Sequence, residues 1–527
     1  MQYFLYFFFI FFYYPGKLAY LKNQKSAQQQ TISMHLRLHK VLKKISIAGA
    51  GIGGLTAAIR LAEAGYEVHV YEQKNEPGGK LAEIKENGYR FDAGPSLFTM
   101  PHFIDELLAG NVPFQYQRMD TLCHYFYEDG LRFQAPADQT AFISAAATTF
   151  GVEPKKIARH LAKSKFIYRI TSPVFLERSL HRIGTYLNPK GLRGILNLPF
   201  IGISKSMHNA NKDALNNSHL VQYFDRFATY NGSNPWKAPS TLNVIPHLEM
   251  GIGAFYPAGG MIAIPRALFA RATQLGVHFH FGKKITAIKH QEGTITGIEI
   301  DHISQKTDLV VSNLDVRLTY QLLGMPLPKK IKQAEPSSSA LIFYWGIRKT
   351  FPELHLHNIL FSADYQDEFD GIFNRKEISK DPTIYINISS KMDKTDAPEG
   401  CENWFVMINV PANKGQDWEA FRQEARASVL AKISKQLGCD VESLIAFEEY
   451  LDPVRIEQFT GSSFGSLYGS SSNNLMSAFF RQANFTKNPK GLYFCGGSVH
   501  PGGGIPLCVL GGRIASDIII GQHHAKH

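Results

Sequence analysis

The stretch KKISIAGAGIGGLTAAIRLAEAGYEVHVYEQ, Lys43 to Gln73, constrains the fold more than any other part of the chain. Ile45 to Ala48 reads as a short apolar strand. Leu55, Ala58, Ile59 and Ala62 then recur at helical spacing, and VHVYE alternates as a second strand. Between strand and helix lies Gly49-x-Gly51-x-x-Gly54, with Gly53 in the same turn. Gly49 permits the tight turn, Gly51 lets the backbone approach a pyrophosphate, and Gly54 lets helix pack closely on strand. The helix N-terminus then faces the phosphates. Glu72 ends the second strand 18 residues past Gly54, where a carboxylate accepts hydrogen bonds from a ribose 2′-OH. Strand, turn, helix, strand and acid in this order predict an α/β dinucleotide-binding unit. They do not choose between a nicotinamide and a flavin.

A chain of 527 residues is too long for one hydrophobic core, so two or more domains are expected. Aromatic residues make up 12% of it, with 37 Phe and 23 Tyr, which points to large apolar cavities or interfaces. Five scattered cysteines without a CxxC pair (Cys123, Cys401, Cys439, Cys495, Cys508) argue for a reducing, cytoplasmic compartment and against a zinc site. Net charge is +11, and its distribution is uneven. From Lys155 to Lys205 there are eleven Lys or Arg against one acid, Glu177, interleaved with runs such as PVFL and ILNLPFIGI. That mixture predicts a membrane-surface element, with a solvated basic face as the alternative. It contains no nucleic-acid recognition motif, so no nucleic-acid partner is expected. The N-terminal MQYFLYFFFIFFYYPGK is about twelve apolar residues long, short of the roughly 20 needed to span a bilayer, and lacks signal-peptide features. Residues 1–40 are read as an extension, with Met34 the expected start.

Further motifs follow in order: EPGGK (Glu76–Lys80), FDAGPSLFTMP (Phe91–Pro101), YPAGGM (Tyr256–Met261), VVSNLD (Val310–Asp315) and GGSVHPGGGIPL (Gly496–Leu507). A nicotinamide dehydrogenase would continue into another βαβ unit after Glu72. This set instead resembles the bacterial-type carotenoid (phytoene) desaturase family of FAD-dependent oxidoreductases, over roughly Lys43 to Gly521. Within that family it is most similar to the hydroxycarotenoid 3,4-desaturase branch, with the phytoene desaturases next. The resemblance implies FAD as cofactor and a lipophilic polyene as substrate. It places Lys80 at the last basic position of the family's R-x-G-G-R-like motif, while Glu76 departs from the first. It implies cofactor contacts by Ser96, Leu97, the Ile285 backbone, Asn313 and Leu467. Gly497 lies by the ribityl phosphate, and Gly504, Ile505, Pro506 and Leu507 run past the flavin ring into a helix.

The implied fold is α/β. A discontinuous Rossmann-like FAD-binding domain (41–100, 250–315, 455–525) holds an inserted α+β substrate domain with a helical, membrane-facing lid (101–249, 316–454). The enzyme would sit on the inner face of the cell membrane. No nucleophile triad, metal cluster or carboxylate pair is legible, and no catalytic residue is assigned; a flavin reaction needs none of these. His500 is either a flavin-loop contact or a turn residue, and Asp225 and Arg226 are possible lid residues. SSSALIFYWGI (Ser337–Ile347) is either a tunnel wall or sheet core. A carotenoid isomerase and a non-enzymatic lipid carrier, like the Rab GDP-dissociation inhibitors that share this fold, are the rival readings.

Overall fold

Strand Lys44–Ala48 lies at the centre of a five-stranded parallel sheet in the computed structural model, which describes residues 43–197, 201–202 and 204–524. It is flanked by Glu67–Tyr71 and Leu309–Ser312, with His278–His280 and Leu492–Phe494 at the edges. The register sets Ile45 opposite both Val68 and Leu309. Helices cover both faces of such a sheet, so its strands read as apolar runs rather than alternating ones. Ile45 and Ile47 are fully buried accordingly. The helix Ile52–Glu63 packs against the C-terminal helix Ile505–His524 in one core cluster with the sheet. Their contact is close: a Cβ on Gly512 would lie 2.4 Å from the Gly53 carbonyl oxygen. The C-terminal helix is long and apolar enough to cross a membrane, but more than half of it is buried inside the protein.

A second, seven-stranded sheet takes Thr121–Phe126 and Arg132–Pro136 from one part of the chain. Ser339–Ile347, His357–Leu360, Ile384–Asn387, Glu402–Val410 and Ile445–Leu451 come from another. All its pairings are antiparallel except that of His357–Leu360 with Thr121–Phe126. Strand Ser339–Ile347 is buried at every position. Its odd-numbered residues Leu341, Phe343, Trp345 and Ile347 share a cluster with Val429 and Ile433 of the helix Trp418–Leu437. Its even-numbered Ile342 lines a cavity on the other face. The strand is therefore both sheet core and cavity wall. Among the described residues, the elements between Gln139 and Ile252 are all helical, including Pro154–Thr171, Pro189–Leu196 and Ser218–Asp225. Lys44–His527 forms one compact unit. The expectations for residues 1–40 lie outside the described residues, as do 198–200 and 203 of the basic stretch.

Candidate active site

One cavity of about 550 Å³ runs along the glycine turn and on toward the seven-stranded sheet. Of the residues expected to hold the cofactor, Gly51, Gly53, Lys80, Ser96, Leu97, Asn313 and Leu467 line it, together with Gly497, Gly504, Ile505, Pro506 and Leu507. Gly49, Gly54, Glu72 and Ile285 are not among its lining residues. Gly49 has φ +95° and belongs to the turn itself. A Cβ on Gly54 would lie 2.2 Å from the Gly49 carbonyl oxygen, the close packing of helix on turn that its motif position requires. Ile285 is buried among Ala48, Tyr71 and Val310.

Glu72 is 6% exposed at the end of its strand, and its carboxylate accepts from the Ala50 N–H (2.8 Å) and the Lys74 N–H (3.0 Å). These two bonds fix the acid against the turn and leave lone pairs over for a ribose hydroxyl. Lys80 donates to the carbonyls of Leu467 (2.8 Å) and Ser466 (3.3 Å), tying the PGGK turn to the 455–470 segment. Burial pulls its pKa down, against the attraction of Asp315. The exposed Glu76 lies 4.0 Å from Arg266, so the position that departs from the family pattern is paired with another side chain.

The other motifs interlock around the same turn. Arg90 donates to Asp92 (2.5 Å) and Asp396 (3.2 Å), and Asp92 also accepts from the Met261 N–H at 2.9 Å. This joins FDAG to PAGGM. A Cβ on Gly260 would strike the Arg90 guanidinium at 2.0 Å. At the C-terminal end, Gly504 has φ +109° and nothing within 4 Å of where its Cβ would stand, so open cavity lies against bare backbone. His500 is 2% exposed; its Nε2 bonds the Arg178 carbonyl at 2.8 Å, and burial drives its pKa to about 4. It is a neutral strut between this loop and the 172–180 segment.

These features fit an FAD: a glycine turn at a helix N-terminus, an acid hydrogen-bonded to that turn at the end of the second strand, and bare backbone entering a second helix whose first-turn N–H groups lack intrahelical partners. The flavin-containing amine oxidoreductase profile matches residues 52–520. The chain belongs to that family. It is 48% identical over 484 residues, 91% of this chain and 99% of the relative, to the 1-hydroxycarotenoid 3,4-desaturase of Flavobacterium sp. (strain P99-3). It is 30% identical to a 4,4'-diapolycopene oxygenase of Methylomonas sp. over 91% of this chain and 98% of that one. Among solved structures it resembles an oxidoreductase from Methanosarcina mazei (TM-score 0.61, 18% identity, covering 90% of this chain and 100% of that one). It also resembles a putrescine oxidase variant (TM-score 0.61, 15%, covering 91% and 99%). These two share the α/β fold expected from the first motif. The protein is an FAD-dependent oxidoreductase of this amine oxidoreductase family.

The rest of the cavity was less legible. Its walls include Leu122, Leu248, Ile342, Ile359, Phe405 and Met407, drawn from distant parts of the chain. Set in them is a buried ion pair. Arg226 donates to Glu249 (2.8 Å) and to the Tyr230 hydroxyl (2.9 Å), and that hydroxyl donates to the other Glu249 oxygen at 2.5 Å. Burial works against the Arg226 charge, but Glu249 and the surrounding tyrosines outweigh it and the guanidinium stays ionised. Asp225 turns away, accepting from His208 (2.6 Å) and Asn211 (2.8 Å). Both residues are interior rather than on a lid surface, and Arg226 alone lines the cavity. Glu249 and the cavity residues His357 and Tyr385 escaped the sequence reading, because nothing local marks a polar residue that only tertiary packing brings to a ligand. Among the described residues, no group of three His, Cys, Asp or Glu is placed to hold a metal.

Proposed function

We propose that this enzyme desaturates a long polyene, a 1-hydroxycarotenoid by preference, introducing the 3,4 double bond. The observation that carries the reading is one continuous cavity with glycine backbone at its cofactor end and an apolar channel beyond it. Similarity to a curated 1-hydroxycarotenoid 3,4-desaturase over nearly the whole of both chains supports the same substrate class. When bound, FAD would supply the two-electron acceptor that such a desaturation needs. The protein's part is to hold the cofactor against the bare Gly504 backbone and the polyene in the apolar channel beside it, to keep water from the reacting bond with aliphatic walls, and to stabilise negative charge with the helix that starts at Ile505.

A membrane partner belongs to the same reading, since such a substrate dissolves in lipid and not in water. Of the eight exposed large hydrophobic residues among the described ones, four fall within fourteen positions: Ile183, Leu187, Leu192 and Leu196. Exposed Arg182 and Arg193 stand among them. Two others, Leu475 and Met476, begin the helix Leu475–Phe479. Its Phe479 packs on Phe175 with ring centroids 5.1 Å apart, and both rings line the cavity. The apolar surface thus continues into the channel wall, as extraction from the inner leaflet of the cell membrane would require.

Expression in cells that accumulate either phytoene or a 1-hydroxycarotenoid tests the substrate. The expected result is a product two hydrogens lighter from the hydroxylated polyene alone. Conversion of phytoene would move the enzyme to the earlier desaturation steps. Unchanged mass with altered geometry would make it an isomerase.

A further inference from the structure

The channel that this reading fills with hydrocarbon has one polar wall. His357, on strand His357–Leu360, lines it and is 4% exposed. Its Nδ1 is an acceptor. Asn387 Nδ2 lies 3.2 Å away and also donates to the Leu356 carbonyl, which fixes the amide nitrogen on that side. The Tyr385 hydroxyl lies 2.7 Å from the same Nδ1 and 2.8 Å from Ser96 Oγ. With Nδ1 accepting, the proton of the neutral ring sits on Nε2. That Nε2 is buried and has no hydrogen-bond partner. Burial, then the charges of His355 and Arg226, drives the ring pKa to about 3, so the ring is neutral.

The neighbouring Arg226 shows the same deficit. Its two terminal nitrogens are taken by Glu249 and Tyr230, while its Nε is buried without a partner. Both orphans are donors, and native proteins leave few buried donors unpaired. A hydrocarbon end placed here would leave them so. A ligand oxygen at the His357 ring edge would pair its donor.

We propose that the Nε2–H of His357, backed by the Arg226 charge, is the subsite that takes the oxygen of a terminally oxygenated polyene. It thereby selects which end of the substrate enters the channel. The proposal rests on the channel being the polyene site, and it makes His357 a specificity-determining residue.

The test uses the purified, FAD-loaded protein and three ligands: a 1-hydroxycarotenoid, the matching keto-terminated polyene, and the hydrocarbon without oxygen. Binding is read by shifts in ligand absorbance, independently of turnover. The wild type should bind at least one oxygenated ligand about tenfold more tightly than the hydrocarbon, the size of a buried hydrogen bond. The hydroxy and keto arms show which oxygen fits. His357→Leu should abolish the preference by weakening the oxygenated ligand alone, and His357→Gln, which keeps an N–H, should restore part of it. Where His357→Leu fails to fold, Asn387→Asp puts an acceptor opposite Nδ1, draws the ring proton to that side, and should lose any preference for the keto ligand, whose oxygen can only accept. Equal weakening of all three ligands, or an intact preference in every variant, would overturn the proposal. Oxygen-dependent binding without loss of hydrogen would uphold the subsite and sink the desaturase reading; desaturation without oxygen preference would do the reverse.

Discussion

The glycines of the first motif serve the protein's own packing as much as a phosphate. A Cβ on Gly51 would stand 2.7 Å from Asn313 Nδ2, with Gly79 Cα, the next atom, at 3.8 Å. At Gly53 it would stand 2.7 Å from Asn313 Oδ1, but also 2.9 Å from the Gly496 nitrogen and 3.2 Å from the Cys508 oxygen. The two positions therefore respond differently to the same change. Gly51→Ala should destabilise the apoprotein by about 1–3 kcal/mol through overpacking, and Asn313→Ala in the same chain should recover much of that loss. Gly53→Ala should not recover, because backbone remains in its way. Urea unfolding of the five variants measures the coupling, and equal recovery at both positions would contradict this packing. The turn was legible from Gly49-x-Gly51-x-x-Gly54 alone. Asn313 as the residue filling the glycine hollows was not, since it arrives from another strand some 260 residues later.

Among the elements, the basic stretch divides in two. The helix Pro154–Thr171 carries Lys155, Lys156, Arg159, Lys163 and Lys165 exposed, while its apolar Ile157, Leu161, Ile167 and Ile170 are buried in the protein. The apolar residues that face out belong to the later segment, Ile183–Leu196. Composition alone merges these, because a run of mixed cations and aliphatics looks the same whether its apolar face meets a core or a lipid. In the proposed membrane contact, attraction falls to the first part and insertion to the second. Leu187→Asp with Leu192→Asp should leave FAD content unchanged and cut sedimentation with anionic vesicles at least about tenfold, given the apolar area each leucine would bury. Ile303→Asp, a comparably exposed apolar site on the strand Ile303–Lys306, should change nothing. Undiminished sedimentation of the double variant would remove this segment from the membrane contact.

For the molecule as a whole, the half of the cavity built from consecutive motifs could be read in advance, and the half built from scattered side chains could not. Gly51, Lys80, Asn313 and Gly504 to Leu507 come with recognisable neighbours and meet at one wall. Arg226, Glu249, His357 and Tyr385 lie on four separated stretches and share no spacing, so only the seven-stranded sheet and the helices against it bring them to the channel. Both halves are needed for the proposed reaction, which draws two hydrogens from a chain too long and too apolar to meet a flavin in water. The most direct measurement mixes the purified, FAD-loaded protein with a 1-hydroxycarotenoid in the absence of oxygen and of any other acceptor. The account predicts loss of flavin absorbance, with one product molecule lighter by two hydrogens for each flavin bleached. An oxidised flavin and an unchanged substrate mass, with the polyene demonstrably bound, would contradict it.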